Sequence, residues 1–543
     1  MIDDRLLAAY VAELEALGTR GAEFAREYPD IASELDVASR RSRDPSVERV
    51  VESTAFLAAR LRLLIESNSA ELPVTVLSML APVLIEPVPS MAIVGLDGGT
   101  EPRTLQRGVR LDYRMGHEPL FCFATTMDTV LAPLRLTVRR ANPAARAFDA
   151  LSVRLDGEVP SRLYLYLGRN RLSAAVLLDA IGKSLVGIEL RRPAGSGAAS
   201  TAIAPSSLRF HGFSSADRAL PDRPGSPRPY RLFTEFVNFE EKFRFISVDL
   251  PEAPSGSALV FHFDRRLSLR DDELDGTFSV NRVPVVNLWP ATGTPFDLTG
   301  RSLEYPVRVD ARRYRSVETH SVERVDLFQA SGGSAVNIDP LVAASRRSES
   351  SIQWGIKRAI SHSGAEVYLY FRGLDYHRLG RERILVSPRV LASNGALAQG
   401  ARSGTELFPT ESISDWRARL LTVPTPYRPA LADTEAMRVL SSYVQSSLRG
   451  LALNDGHRSL RDYLRRFPGA VDASWIEAIR RLNLRGIVAM RDGRPTVGTR
   501  AFISFDASHA PTSSFVTIER VLQRLFDAHR GLNAVEEVVL RAS

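Results

Sequence analysis

Nine histidines, one cysteine and 63 carboxylates are the groups from which this 543-residue chain could build a catalytic or metal site. Phosphate and nucleophile chemistry leave recognisable spacings, and this sequence carries no GxxxxGK[ST], no GxGxxG after a strand, no HExxH, and no GxSxG or SxxK context. The histidines are scattered, with no pair at ligand spacing. His262, in "FHFD" (261–264), alternates with phenylalanines on an expected strand and reads as a structural histidine. The acidic run "DDELD" (271–275) lacks the glycine and oxygen spacing of a calcium loop and reads as a solvated turn. "SGGS" (331–334) reads as a flexible turn rather than a phosphate nest. Cys122 stands alone, so it can form neither an intramolecular disulfide nor a thiolate zinc cluster, and a reducing cytoplasm fits. No catalytic residue, metal ligand or cofactor is expected, because no carboxylate pair stands out from the rest.

The densest cluster of large side chains is "YRLFTEFVNFEEKFRF", Tyr230 to Phe245, where Tyr230, Phe233, Phe236, Phe239, Phe243 and Phe245 are interleaved with Glu235, Glu240, Glu241, Lys242 and Arg244. On a helix Leu232, Phe233, Phe236, Phe239 and Phe243 share one side, and from Phe243 onward alternation predicts a strand. A cofactor pocket would need polar groups converging on the aromatic face, and the glutamates are expected to point away from it. The comb is therefore expected to be a core anchor joining a helix to the next strand, each buried phenylalanine contributing roughly 1.5–3 kcal/mol. A partner-binding face is the alternative.

These elements sit in a long chain. At 543 residues, three to five domains are expected. Hydrophobic content of 44% and charged content of 24% are ordinary for a globular protein, which argues against disorder. The formal charge of +7 and pI near 9.6 raise a nucleic-acid reading. Only Lys183, Lys242 and Lys357 are lysines, however, so the skew to arginine looks like codon bias, and the basic residues form no long block. No nucleic-acid partner is expected. The opening "MIDDRLLAAYVAEL" has no basic region before an apolar run and is not expected to be a signal peptide. Leu72 to Gly95 is membrane-length, but Pro73, Pro82, Pro87 and Pro89 divide it into a short helix, an extended turn and a strand from Met91, so no membrane insertion is expected.

The predicted fold class is α+β multidomain, with long N-terminal helices, β-rich central domains and a C-terminal α/β lobe. The expected divisions are a helical region at 1–90, a β-rich α+β wing at 91–205, a central α+β domain at 206–340, a β-rich segment at 341–425 and an α/β domain at 426–543. In the first, a helix opens at Asp44-Pro45 and is expected to end near Asn68. Its apolar residues Val47, Val50, Leu57, Leu61 and Leu64 recur close to the 3.5 spacing of helices packed nearly parallel, which predicts a bundle completed partly by another chain. The alternative is an intrachain core helix. Further on, a helix is expected at Ser173–Ile181, a strand at Val186–Leu190, a flexible linker at Arg191–Ser207 and an exposed loop at 346–351. The C-terminal part is expected to hold helices near 432–449, 458–467, 473–483 and 514–529, with Gly531 as a stop. Strand, strand, helix, strand occurs near 151–190 and again at 486–540, which raises the possibility of two related lobes.

"GFSSADRALP" (Gly212–Pro221) followed by the aromatic comb resembles the central signature of TssF, the ImpG/VasA family of type VI secretion baseplate subunits. Tyr230, Glu235, Phe236, Phe239, Lys242, Phe243 and Phe245 match it; Phe233 and Glu241 stand where leucine and proline are more usual. "GAEFAREYPDIASEL" (21–35), "DPSVERVVESTAFLAARLRL" (44–63), "APVLIEPVPSMAIV" (81–94), "VPVVNLWPATGTPFDL" (283–298), "YPVRVDARR…VETHSVERV" (305–325) and the closing helix and strand, with Asn533, resemble further blocks in order. The segment "ASNGALAQG" (392–400) departs from the family's CTNRDLP, keeping Asn394 and Leu397. The resemblance implies a fold like that of contractile-phage baseplate wedge proteins and a non-enzymatic wedge subunit. Two copies would join one TssG around the VgrG spike, linking the sheath to TssK, with TssE a further contact. It also implies a wedge with two arrangements, switched by contraction, and a cytoplasmic baseplate docked at the inner-membrane complex through partners. The alternatives are a wedge protein of a phage-like or extracellular contractile particle, or a basic nucleic-acid-associated protein.

Overall fold

The computed structural model describes residues 4–34, 45–115, 118–142, 147–168, 170–193, 200–223, 226–310, 316–329, 335–341, 352–361, 364–374, 383–410, 416–431, 433–444, 456–491, 494–506, 513–528 and 534–542. The expected loop at 346–351, the "SGGS" turn, the cap residue Asp44, Gly531 and Asn533 lie outside these residues. The chain forms two compact units, residues 1–78 with 431–441, and residues 79–430 with 442–543.

The first unit is helical: α1 (Asp4–Glu27), α2 (Pro29–Glu34), α3 (Pro45–Leu80), whose last two residues belong to the second unit, and the start of a helix at Asp433–Val444. Arg62 of α3 pairs with Glu13 of α1 at 3.1 Å. On α3, Ala55 and Ala59 are buried one turn apart, small side chains that let a neighbouring helix approach closely. This helix is longer than expected. It does not end near Asn68 but runs 36 residues, about 54 Å, with Pro73 inside it. A single interior proline removes one N–H and costs about 3 kcal/mol, against which the burial of Leu77 one turn on sets about 1.5–3 kcal/mol. The chain leaves the helix only where Pro82 opens a 3-10 turn, Pro82–Leu84. No helix among the described residues is long and apolar enough to cross a membrane.

In the second unit, the strand expected from Met91 is Met91–Asp97. It belongs to a closed six-stranded barrel with Arg282–Val286, Glu118–Thr125, Arg110–Met115, Glu406–Pro409 and Arg417–Leu420, all neighbours antiparallel. Its filling includes Val94, Leu111, Phe123, Val285 and Trp416. The barrel thus draws on segments from three of the expected divisions. A five-stranded antiparallel sheet, in the order 200–203, 185–191, 257–263, 149–157, 134–140, shares a core with a four-stranded sheet of 208–210, 245–249, 162–167 and 278–279. The expected flexible linker therefore contains an edge strand, Ser200–Ile203, paired with Leu185–Arg191. A larger sheet built from residues 289–393 has its own core around Val325, Ile338, Leu369 and Val386.

The remaining helices are α4 (Arg171–Lys183), α5 (Arg228–Asn238), α6 (Asp433–Val444), α7 (Gly456–Arg465), α8 (Ser474–Glu477) and α9 (Phe515–Asp527). The helix expected at 473–483 stops at Glu477. Strand Ile479–Arg491 begins two residues later and forms a long hairpin with Arg494–Phe505, so pairing along the whole hairpin overrides the helical pattern. The two supposedly related lobes differ in topology. Near the C-terminus the hairpin and the parallel strand Ala534–Ala542 share one sheet. In the earlier case Asp149–Gly157 and Arg162–Leu167 belong to different sheets.

The lobes do meet, through α4 and α9. A Cβ on Gly182 would fall 2.7 Å from the Val516 side chain, so only glycine permits this approach. Ser514 Oγ caps α9 by accepting from the Thr517 N–H (3.1 Å), and Asp179 of α4 accepts in turn from Ser514 Oγ (2.6 Å) and from the Val516 backbone N–H (2.9 Å). Asp179→Ala is expected to lower stability by about 1–2 kcal/mol in urea melts, the cost of losing charge-assisted bonds at the helix start; an unchanged midpoint would show that Asp179 carries no weight.

Candidate functional site

The aromatic comb folds as helix α5, a 3-10 turn at Glu240–Phe243 and strand Phe245–Asp249. The helix ends at Asn238, earlier than a continuous wheel through Phe243 requires. Tyr230, Phe233, Phe236, Phe239, Phe243 and Phe245 are nevertheless all buried. They face two ways. Phe233 lies 4.7 Å from Phe467 and 6.2 Å from Trp475, and Tyr230 lies 5.3 Å from Phe467, so one side grips the segment from α7 to α8. Phe239 and Phe245 join Met91, Ile93, Val286 and Leu288 on the outside of the barrel.

The glutamates do not point away. Glu235 and Lys242 are both 0% exposed and are bonded to each other inside the aromatic shell. Glu235 Oε1 also accepts from Arg231 Nη1 at 2.7 Å and from the backbone N–H groups of Ala219 and Leu220 at 3.0 and 2.9 Å. Lys242 Nζ donates to the Gly212 carbonyl at 2.9 Å, and Arg231 Nε donates to Asp222 at 2.7 Å. "GFSSADRALP" is thus a loop wrapped around one carboxylate. Gly212 has φ near 91°, and a Cβ there would lie 2.9 Å from the Lys242 carbonyl oxygen. Burial opposes the charge on Glu235, but Lys242, Arg231 and the two backbone donors outweigh it and hold its pKa below the usual carboxylate range. Glu240, also turned inward, pairs with Arg171 at 2.8 Å and accepts from Ser513 at 2.9 Å.

Two further polar ties join sequence blocks far apart in the chain. Asn287 and Asn394, both buried, are reciprocally bonded: Asn287 Nδ2 donates to Asn394 Oδ1 (2.8 Å) and the Asn394 N–H donates to Asn287 Oδ1 (2.7 Å). Together they take the Cys122 carbonyl (2.5 Å) and N–H (3.1 Å), fastening a barrel strand to the end of strand Ile384–Ser393. Cys122 is buried at this junction. The retained asparagine of "ASNGALAQG" is therefore a clasp. Arg223, mostly buried, bridges Glu86 (2.9 Å) and Glu323 (2.6 Å). Beside it His320 Nε2 contacts the Pro87 carbonyl at 3.0 Å. Burial first, then the Arg223 and Arg358 charges, push His320 down to about 3.

The other candidates are bland. His262 is partly exposed and contacts Glu189 Oε2 at 3.1 Å, between buried Phe261 and Phe263. Within "DDELD", Asp271 pairs with the buried Arg140 side chain, a tie the sequence did not signal. Among the described residues no group of three or more His, Cys, Asp or Glu could hold a metal ion. Of the α3 stripe, Val50, Leu57 and Leu61 are 65%, 58% and 58% exposed; the side chains of Val47 and Leu64 lie outside the described residues.

Layers tied together by buried ion pairs and asparagine clasps define an α+β multidomain scaffold. The family model described as "Type VI secretion system, TssF" matches residues 2–543, and the chain belongs to that family. The type VI secretion system component TssF1 of Pseudomonas aeruginosa is 28% identical over 363 residues; the match spans 60% of this chain and 58% of that protein, a little over half its length. Among solved structures, a chain of the TssK-TssF-TssG baseplate subcomplex of a type VI secretion system has the same fold, with TM-score 0.71 and 21% identity over 91% of this chain and 95% of that one. A chain of a type VI secretion baseplate complex aligns at TM-score 0.55 and 19% identity, over 96% and 93%.

Glu235→Gln leaves Lys242 charged and unpaired in the core, so a loss of about 3–5 kcal/mol is expected in denaturant unfolding, and Glu235→Leu with Lys242→Met should recover most of it. Equal losses for single and double variants would contradict this pairing. His320 supplies a pH signature. Its folded pKa lies below the ordinary value of 6.5, so the unfolded chain takes up the proton first. The stability it contributes is complete above pH 6.5 and falls by about 1.4 kcal/mol per unit as pH drops toward 3. His320→Gln should flatten the melting-temperature slope between pH 6.5 and 5; an unchanged slope would exclude His320 as its source.

Proposed function

We propose that this chain is a non-enzymatic structural subunit of a type VI secretion baseplate wedge, in which two copies join one TssG-like subunit around the spike. Membership in the TssF family over residues 2–543 carries this reading. The solved subcomplex of TssK, TssF and TssG, which contains a chain of this fold, supports TssG and TssK as partners. TssE and the VgrG spike are further contacts in this proposal, and the baseplate is cytoplasmic, docked at the inner-membrane complex through its partners. The interior polar groups fit a mechanical role, since Glu235, Lys242, Asn287 and Asn394 are occupied in bonding each other.

The proposed interface is the α3 stripe Val47, Val50, Leu57, Leu61 and Leu64, packed in a bundle to which a partner chain contributes. Its support is that Val50, Leu57 and Leu61 remain exposed on the chain alone while Ala55 and Ala59 of the same helix are buried. On neighbouring α1, Leu7 and Val11 are also exposed, which widens the apolar area available to a partner. Co-expression with TssG-like and TssK-like partners from the same gene cluster, followed by native mass measurement, should give a complex with two copies of this chain. Leu57→Asp with Leu61→Asp should weaken that complex by about 100-fold or more, two buried leucines being worth roughly 3–6 kcal/mol, while leaving the melting temperature of the free chain unchanged. A variant that assembles like the parent would refute the interface, and a parent that stays solitary would refute the wedge reading.

A further inference from the structure

Helix α9 places Arg520 and Arg524 one turn apart on the same face, beside a cavity of about 390 Å³. Gly182 and Lys183 at the end of α4, Val516, Glu519 and Gln523 of α9, and Glu537 and Val538 of the last strand complete its lining. The guanidinium groups are stacked on aromatic rings: the Arg520 Cζ is 3.8 Å from the Phe210 centroid and the Arg524 Cζ is 4.9 Å from that of Phe213. A guanidinium over a ring face keeps its N–H donors available to an in-plane partner.

The carboxylates of the cavity are otherwise engaged. Glu519 pairs with Lys183 at 3.1 Å and Glu537 with Arg500 at 2.6 Å. Asp527, two turns beyond Arg520 and three residues past Arg524, raises the Arg524 pKa through its charge. Among the described residues neither guanidinium pairs with a carboxylate, and Arg524 Nη1 donates to the Arg520 carbonyl at 3.1 Å. Two like charges at i and i+4 disfavour the helix that carries them. Burial lowers both pKa values, and Arg524 lowers that of Arg520 further. Two arginines that among the described residues pair with no carboxylate thus stand together at an open cavity whose own carboxylates, Glu519 and Glu537, are bonded to Lys183 and Arg500.

We propose that this cavity is a docking site for an acidic segment of a partner protein, two of whose carboxylates take the forks of Arg520 and Arg524. Two guanidinium groups one turn apart match two carboxylates carried on one segment better than a single free inorganic anion. The site is separate from the α3 stripe and stands whether or not the wedge reading holds.

A fluorescein-labelled hexaglutamate peptide, titrated into the full-length chain at low salt, tests it by anisotropy. Saturable binding is expected, weakened at least tenfold by Arg520→Gln with Arg524→Gln, and unaffected by Arg135→Gln on an exposed strand position. Arg520→Lys with Arg524→Lys, which keeps charge and fold but loses the planar fork, should fall between. Urea melts of each variant separate lost binding from lost folding; if the double glutamine variant unfolds, the lysine pair decides. Equal binding by parent and lysine pair, by parent and a folded glutamine pair, or full displacement of the peptide by equimolar inorganic phosphate would overturn the proposal.

Discussion

A carboxylate at zero exposure inside a shell of phenylalanines is the constraint on which this architecture depends. Taking Glu235 and Lys242 out of water costs several kcal/mol for each ion, and their mutual attraction repays this only if the remaining valences are filled. They are filled by parts of the chain that would otherwise be free to differ: Arg231 one turn back, the Ala219 and Leu220 amides, and the Gly212 carbonyl. Misplacing the loop at 212–221 therefore strands a buried charge. The aromatic rings around the pair exclude water and, on their outer surfaces, join the barrel on one side and the α7–α8 segment on the other. Position and energy are coupled there because the same side chains serve both contacts.

The same economy recurs at smaller scale. Asn287 and Asn394 bond each other and take the Cys122 backbone as well, while Asn394 Nδ2 donates to the Ser316 carbonyl, so that barrel and neighbouring sheet share one junction. Arg223 likewise bridges Glu86 and Glu323. These ties connect residues a hundred or more positions apart, and three of their members, Glu86, Asn287 and Glu323, fall within the blocks by which the chain resembles its family.

Much of this was legible in the sequence. Apolar period predicted α4, the strand from Met91, the closing helix and the burial of the comb, because each is local. Glu235 turns inward against the expectation, and the available signal was Arg231 one turn before it and Lys242 seven residues after it, opposite charges among five phenylalanines. Helix α3 runs on past Pro73 to bury Leu77, a continuation that the proline-divided sequence did not suggest. The barrel, drawn from segments near 91–125, 282–286 and 406–420, left no local trace, since closure depends on pairings between strands hundreds of residues apart. The Asp179 cap on α9 was invisible for the same reason. The stacked pair Arg520 and Arg524 could be found only once Phe210 and Phe213 were placed beneath them.

The central claim is that the Glu235 knot joins the barrel, the comb and the α7–α8 segment into one cooperative body. Native-state hydrogen exchange followed by mass spectrometry across a denaturant series tests it most directly. Peptides covering 91–97, 216–249 and 456–479 should converge on one opening free energy, exchanging only through a common unfolding. If residues 456–479 open at a lower free energy while 216–249 stays protected, the knot does not unite these layers and the account is wrong.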